Sequence, residues 1–399
     1  MDAITNPYSP GAGSPPPELA GRGKIREQVR VAIARIGVGN SAKSIIMIGL
    51  RGVGKTVLLE QMRMDAEETG SVSAIKLEAP ENRSLPALLA PQLRLSLLKI
   101  SRNEAAKELA QRGLRALAGF VGSLKVKYAD IEVGLDFEPE EGLADNGDLE
   151  SDLGTLFEQL GRAAQKAKTV VVIFIDELQY VKEDQFAALI SALHRCSQLR
   201  LPLTLVGAGL PQLLAIAGAA KSYAERLFDF PMIGALSETE AGDAIIKPAK
   251  EKQVEFSQEA VAEIVRRTHG YPYFLQEWGK HSWDIATSSP ITGEDVACAS
   301  THAIAALDES FFRVRFDRLT PSEKRYLRAM SDMGEGPHRS GDIAAELGKK
   351  ASSLAPTRSN LIGKGMVWSP AHGDTAFTVP LFDEFMKRIM PGDAWRTEF

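Results

Sequence analysis

The run Ser44-Ile45-Ile46-Met47-Ile48-Gly49-Leu50-Arg51-Gly52-Val53-Gly54-Lys55-Thr56-Val57-Leu58-Leu59-Glu60-Gln61-Met62 decides the fold. Its centre, Gly49 to Thr56, fits the phosphate-loop pattern G-x-x-x-x-G-K-[ST]. The left flank is short and apolar, as a buried strand requires, and the right flank reads as the first turns of a helix. Between a strand and a helix, the loop amides and the helix N-terminus converge on one point and favour an anion there. The glycines let the main chain close around a phosphate without Cβ clashes. The candidate phosphate-binding residues are Gly49, Arg51, Gly52, Val53, Gly54, Lys55, Thr56 and Val57. Lys55 is expected to reach the β- and γ-phosphates, and the Thr56 hydroxyl to bind Mg²⁺.

Such a loop needs an acid site, and Thr169-Val170-Val171-Val172-Ile173-Phe174-Ile175 leads to one at Asp176-Glu177. The run is β-branched and apolar, as a strand buried on both faces would be. Acids at the end of a buried parallel strand lie on the ligand edge of an α/β sheet. Asp176 is expected to hold Mg²⁺ through water, and Glu177 to orient and polarise the attacking water. The plainer alternative is that the pair caps the next helix.

The 399 residues allow two or three domains, and 44% apolar with 25% charged residues is ordinary for a globular protein. Cys196 and Cys298 lack disulfide-framework or zinc-ligand spacing, which predicts a reducing, cytoplasmic setting. The first residues have neither the basic start nor the apolar core of a secretory signal. Residues 201–220 are uncharged over a membrane-span length, but Pro211, Gly207, Gly209 and Gly218 break the run into a strand, a turn and a short helix. No membrane span is expected. A net charge of −5 argues against coating nucleic acid non-specifically, but not against a local DNA-reading element.

Residues 1–40 hold a Pro/Gly/Ser-rich strap and then a helix over about 24–36. The core is expected over 41–235, with strands at 44–48, 72–77, 169–175, 203–206 and 228–233. Strands alternating with helices predict an α/β fold with a doubly wound parallel sheet. An insertion, 99–152, interrupts it: a helix over about 102–122, then a hairpin from the runs 124–128 and 131–137. Glu138 to Asp152 carries seven acids and no base; it reads as a solvated loop, or else as a docking surface for a protein partner or a DNA-mimicking guard over a basic site. Residues 236–292 read as a small helical domain. Ser237-Glu238-Thr239-Glu240 is a capping box opening a helix that Pro248 ends. Ser257 starts the next helix, Gly270 closes it, and Tyr271-Pro272 opens a third. A connector helix capped by Thr292 is expected over 293–317.

Residues 318–399 read as a winged helix. Thr320-Pro321-Ser322-Glu323 opens its first helix as a second capping box. Residues 340–348 and about 355–364 form the next two helices, and two strands flank a polar turn at 370–374. Between Lys349 and Met366 there are four bases and no acid. The candidate DNA-binding residues are Lys349, Lys350, Ser353, Thr357, Arg358, Asn360 and Lys364, on and around the recognition helix. A winged helix used only for protein contacts is the alternative.

With phosphate loop, Asp-Glu site, helical lid and winged helix in that order, the chain resembles AAA+-related ATPases over about residues 19–399. Within them it is similar to the origin-recognition-like group and to the signal-transducing STAND ATPases. The resemblance implies ATP with Mg²⁺, and hydrolysis to ADP and phosphate. It implies that Gly21-Arg22 lies near the adenine and that Arg226 is the arginine finger; a surface salt bridge is the plainer reading of Arg226. His269-Gly270-Tyr271-Pro272 is similar to the Gly-x-Pro lid signature of STAND proteins, whose proline turn senses the phosphates. Two departures stand out. The usual polar sensor after the fourth strand is replaced by Val206-Gly207-Ala208-Gly209, and the lid lacks the usual arginine. Both predict slow hydrolysis, fitting a switch better than a motor. The expected function is therefore an ATP-dependent switch controlling a DNA-binding winged helix, with a nucleotide-dependent homo-oligomer implied. The alternative is a signalling or defence regulator whose winged helix docks a protein partner.

Overall fold

Strands form where the sequence is apolar on both sides of the chain, and one of the inner ones, Val170–Asp176, is buried at every residue. The computed structural model describes all residues except Ala12, Glu132, Val133, Leu135, Asp136, Glu335 and 397–399. The chain divides into two units: a core unit of residues 22–49 and 55–233, and a second unit of residues 1–21, 50–54 and 234–399.

The core unit runs α1 (Gly23–Gly37), β1 (Ser44–Ile48), α2 (Lys55–Glu68), β2 (Val72–Glu78), α3 (Leu85–Ile100), α4 (Lys107–Leu124), α5 (Leu149–Ala167), β3 (Val170–Asp176), α6 (Glu183–Gln198), β4 (Leu203–Gly209), α7 (Leu213–Ala220), α8 (Ala224–Leu227) and β5 (Phe228–Asp229). The five strands are parallel in the order β2-β3-β4-β1-β5. This is the doubly wound α/β sheet expected from the alternation of elements. Its carboxyl edge gathers Gly49, Asp176 and Gly209, the ends of β1, β3 and β4. Gly49 N–H donates to the Gly209 carbonyl at 3.2 Å, tying the start of the phosphate loop to the end of β4. On α1, Arg26 clasps Asp65 of α2 through two bonds of 2.9 and 3.0 Å.

The long interval between β2 and β3 differs from expectation. It holds three helices, α3 to α5, packed in one apolar cluster with the sheet. The first half of the expected hairpin is overturned: Leu124 ends α4, and Lys127 and Tyr128 N–H both donate to its carbonyl. The short alternating pattern there follows from a half-buried helix end. The second half, 131–137, lies largely outside the described residues. The acidic stretch is mostly internal bracing. Asp152 is fully buried and accepts from Asn146 N (3.1 Å), Asn146 Nδ2 (2.9 Å), Gly147 N (2.9 Å) and Ser123 Oγ (3.3 Å). Glu140 pairs with Arg112 and Arg115, and Asp148 caps α5.

The second unit continues with α9 (Glu238–Glu251), α10 (Gln258–Thr268), α11 (Pro272–Ile285) and α12 (Gly293–Ala306), then a π-helical turn at Leu307–Phe312 leading into α13 (Arg313–Phe316). Next come α14 (Pro321–Asp332), β6 (His338–Arg339), α15 (Ser340–Glu346), α16 (Ala351–Gly363), β7 (Val367–Trp368), β8 (Asp374–Phe377) and α17 (Phe382–Ile389). The last three strands form an antiparallel sheet in the order β6-β8-β7. The capping boxes at Ser237 and Thr320 form as their sequences require. Pro248 does not end its helix: α9 runs on to Glu251, because burial of Ala244, Ile245 and Ala249 outweighs the hydrogen bond that a proline removes. α16 begins a turn earlier than expected, leaving Pro356 inside it. The N-terminal strap is anchored in this unit, with the buried Tyr8 hydroxyl donating to the Ile245 carbonyl. Among the described residues, no helix is long and apolar enough to cross a membrane.

Candidate active site

Three short segments build the acid end of the site within the core unit. The first turn of α2 supplies Lys55 and Thr56, the end of β3 supplies Asp176, and the next residue is Glu177. Lys55 is buried, and its ammonium donates to the Gly49 carbonyl at 3.0 Å. Asp176 is only 4% exposed. Burial pushes its carboxyl above the usual range, against the pull of a hydrogen bond from the Thr56 hydroxyl, and the neighbouring Glu177 charge pushes the same way as burial. A carboxylate so short of positive charge suits a cation. Its second anchor is local, since Glu177 N–H donates to Asp176 Oδ1 at 2.8 Å. That bond accompanies a left-handed main chain at Glu177 (φ 54°), an unusual conformation for a residue with a Cβ.

The middle of the phosphate loop groups with the second unit. Gly52 (φ 79°) and Gly54 (φ 87°) take left-handed conformations that glycine adopts without strain. Gly52 accepts a hydrogen bond from Tyr273 N–H at 3.1 Å, and Arg51 N–H donates to the Thr378 carbonyl at 3.0 Å. Tyr273 follows Pro272, the first residue of α11, so the residue after the Gly-Tyr-Pro turn bonds directly to the loop.

Residues 18–206 match the AAA ATPase domain family, and residues 309–386 match a domain of unknown function, DUF8462. Among solved structures, the Walker-type ATPase PABY2304 of Pyrococcus abyssi is similar over 92% of this chain and 96% of its own, with a TM-score of 0.56 and 13% identity. Residues 18–206 are thus an AAA ATPase domain, and the chain is an ATPase. The Orc1 protein of Aeropyrum pernix, solved in complex with DNA, is 15% identical over 94% of each chain, with a TM-score of 0.47. The RuvB Holliday junction branch migration motor of Thermotoga maritima is 17% identical over 90% of this chain and 92% of its own, with a TM-score of 0.43. No curated protein matches the sequence.

The remaining candidates of this ATPase fall in different places. Arg22 stands at the N-terminus of α1. Arg226 lies on the short α8, exposed, and forms no ion pair with a described residue, so the salt-bridge reading of it finds no partner there. Lys349, Lys350, Ser353 and Asn360 are exposed at or on α16. Thr357 is half-buried on the same helix. Arg358 and Lys364 depart from expectation. The Arg358 guanidinium donates to Thr375 Oγ1 (2.7 Å), Ser369 Oγ (2.8 Å) and the Asp374 carbonyl (2.7 Å), holding the turn between β7 and β8. Lys364 Nζ donates to the Arg318 carbonyl (2.9 Å) and to Glu323 (2.7 Å). Both cations are engaged inside the ATPase, and their spacing along the sequence gives no sign of it.

One residue beside the acids escaped the sequence reading. Gln179, nearly buried in the turn after Glu177, donates from Nε2 to the Glu177 carboxylate and accepts the Leu210 N–H at 3.0 Å. The available signal was the small-residue end of β4. A Cβ on Gly207 would overlap Leu178 Cδ1, and one on Gly209 would lie 3.0 Å from Gln179 Oε1. The glycines that remove a side-chain sensor admit a polar group from the neighbouring turn.

Proposed function

We propose that this ATPase is a slowly hydrolysing, STAND-type molecular switch whose nucleotide state governs a C-terminal winged helix that binds duplex DNA. The observation that carries this reading is the complete acid pair, Asp176 and Glu177, beside a β4 whose last three residues, Gly207-Ala208-Gly209, carry no polar side chain. Lys55 and the loop amides grip the phosphates, and Glu177 orients the attacking water. Thr56 and Asp176 fit Mg²⁺: both offer hard oxygens, and burial leaves the Asp176 carboxyl in want of a cation. Bound there with ATP, Mg²⁺ would neutralise phosphate charge. Arg22 and Pro272 are assigned to the nucleotide, and Arg226 to a neighbouring subunit's site. The helices α14 to α16 with the β6-β8-β7 sheet support the winged-helix reading.

ATP can shift such a switch only by binding one form more tightly than the other. The test is duplex-DNA affinity of the full chain with ATP and Mg²⁺, with ADP, and without nucleotide, alongside turnover with and without DNA. A difference of fivefold or more, as a coupling of roughly 1 kcal/mol or above gives, is expected. Equal affinity in all three states removes the coupling.

A second reading has its own support. With Arg358 and Lys364 engaged internally, the basic character of α16 rests on Lys349 and Lys350. This favours a signalling or defence regulator whose winged helix docks a protein. The acidic 138–152 stretch offers less to such a partner, because Asp152, Glu140 and Asp148 already serve the local fold.

A further inference from the structure

We infer that Gln179 is a positioning residue for ATP hydrolysis, holding the Glu177 carboxylate in place from the end of β4. The inference rests on Glu177 being the water-orienting group. Four observations in the core unit meet on this amide. Gln179 is 9% exposed, so its two hydrogen bonds are shielded from water and their loss is not easily replaced. Its Nε2 donates to Glu177, and its Oε1 accepts the Leu210 N–H just beyond β4; the two roles agree on which end of the amide points where. The close approach is helped by the glycine at 209, where a Cβ would lie 3.0 Å from Gln179 Oε1. The carboxylate it holds sits on a left-handed residue, a conformation that survives only where its surroundings over-determine it.

Glu177 is thus fixed from two directions, its main chain through Asp176 Oδ1 and its side chain through Gln179. A base set in orientation by a third group is how enzymes keep a carboxylate aligned on a water. The anchor at the far end is Leu210, so a shift in the end of β4 would be felt at the carboxylate. The polar function that the last residues of β4, Gly207-Ala208-Gly209, lack in their own side chains reaches the site by this route.

Two substitutions separate positioning from packing. Gln179→Leu removes both bonds. Gln179→Glu keeps the shape and the acceptor for Leu210 N–H but replaces donation to Glu177 with like-charge repulsion. Both variants are expected to lower kcat by roughly tenfold to a hundredfold, the scale of a misaligned catalytic group. Their ATP affinity, measured by calorimetry, should match the unsubstituted chain. Combined with Glu177→Gln, neither should lower turnover further, since a residue acting through another adds nothing once that one is gone. Full turnover in Glu177→Gln alone would dismiss the role of Glu177 and the inference with it. Slow turnover in Glu177→Gln beside unimpaired Gln179→Glu would overturn the inference alone and leave Gln179 as a brace for Leu210. A fall in ATP affinity matching the fall in rate would also overturn it.

Discussion

On the proposed reading, Lys55 is the residue on which nucleotide binding turns. Its ammonium is buried against the Gly49 carbonyl, so a phosphate oxygen must compete for the same protons. Lys55→Ala removes a charge-assisted partner worth about 1.5–3 kcal/mol. The expected loss of ATP affinity is therefore roughly tenfold to a hundredfold or more, read by calorimetry with ATP and Mg²⁺. This residue and the Asp176-Glu177 pair were legible in the sequence because motif and flanking strand lie in one stretch of chain. Gln179 was not. Its meaning comes from Leu210, just past the end of β4 and far along the chain, and no local pattern announces that meeting. The bonds of Arg358 were hidden for the same reason, since a cation on a helix looks free until Thr375 and Asp374 fold back onto it.

Among the elements, α14 has the most exacting start. Glu323 closes its capping box through the Thr320 N–H and also receives Lys364 Nζ at 2.7 Å, while its side chain is only 3% exposed. Burial alone would raise its carboxyl, but Lys364 and the Thr320 N–H outweigh burial and hold it below the ordinary value of 4.5. A depressed acid contributes stability above its unfolded pKa and loses it as pH falls through the folded one. Glu323→Gln should therefore lower the denaturation midpoint at pH 7, at a cost of roughly 1 kcal/mol, because it removes the ion pair with the part-exposed Lys364 and weakens the cap. The gap between variant and unsubstituted chain should narrow as pH falls below the ordinary value of 4.5 and through the depressed folded one; a gap that does not change with acidification would place the effect in packing instead. At this scale long apolar strands and capped helices were legible, as β1, β3 and the two boxes attest. The two-residue β6 carries no pattern to read, and α5 was hidden because its cap, Asp148, sits within a run of acids that resembles a solvated loop.

For the whole molecule, the balance of 47 bases against 52 acids makes any nucleic-acid contact a local affair. Four phosphate contacts would give a log–log salt slope of roughly −3 to −4. With Arg358 and Lys364 held internally, Lys349 and Lys350 alone would give about −2. Titrating duplex DNA across a salt series measures this directly. A slope near −2 that vanishes in Lys349→Ala/Lys350→Ala is the expected outcome for the DNA-binding reading, and no detectable binding would favour the protein-docking one. The α/β core was legible at this scale because the order of strands and helices admits few topologies.

The wide turn at Leu307–Phe312 is one residue longer than an α-helical path would be. Each residue advances a helix by about 100°. Excising one amino acid from that turn would therefore re-phase α13 rather than merely shorten it. The rings of Phe312 and Phe316, which both meet Phe385 at centroid separations of 5.2 and 5.8 Å, would then face different directions. Chain length at this point acts as an angular setting for everything threaded behind it.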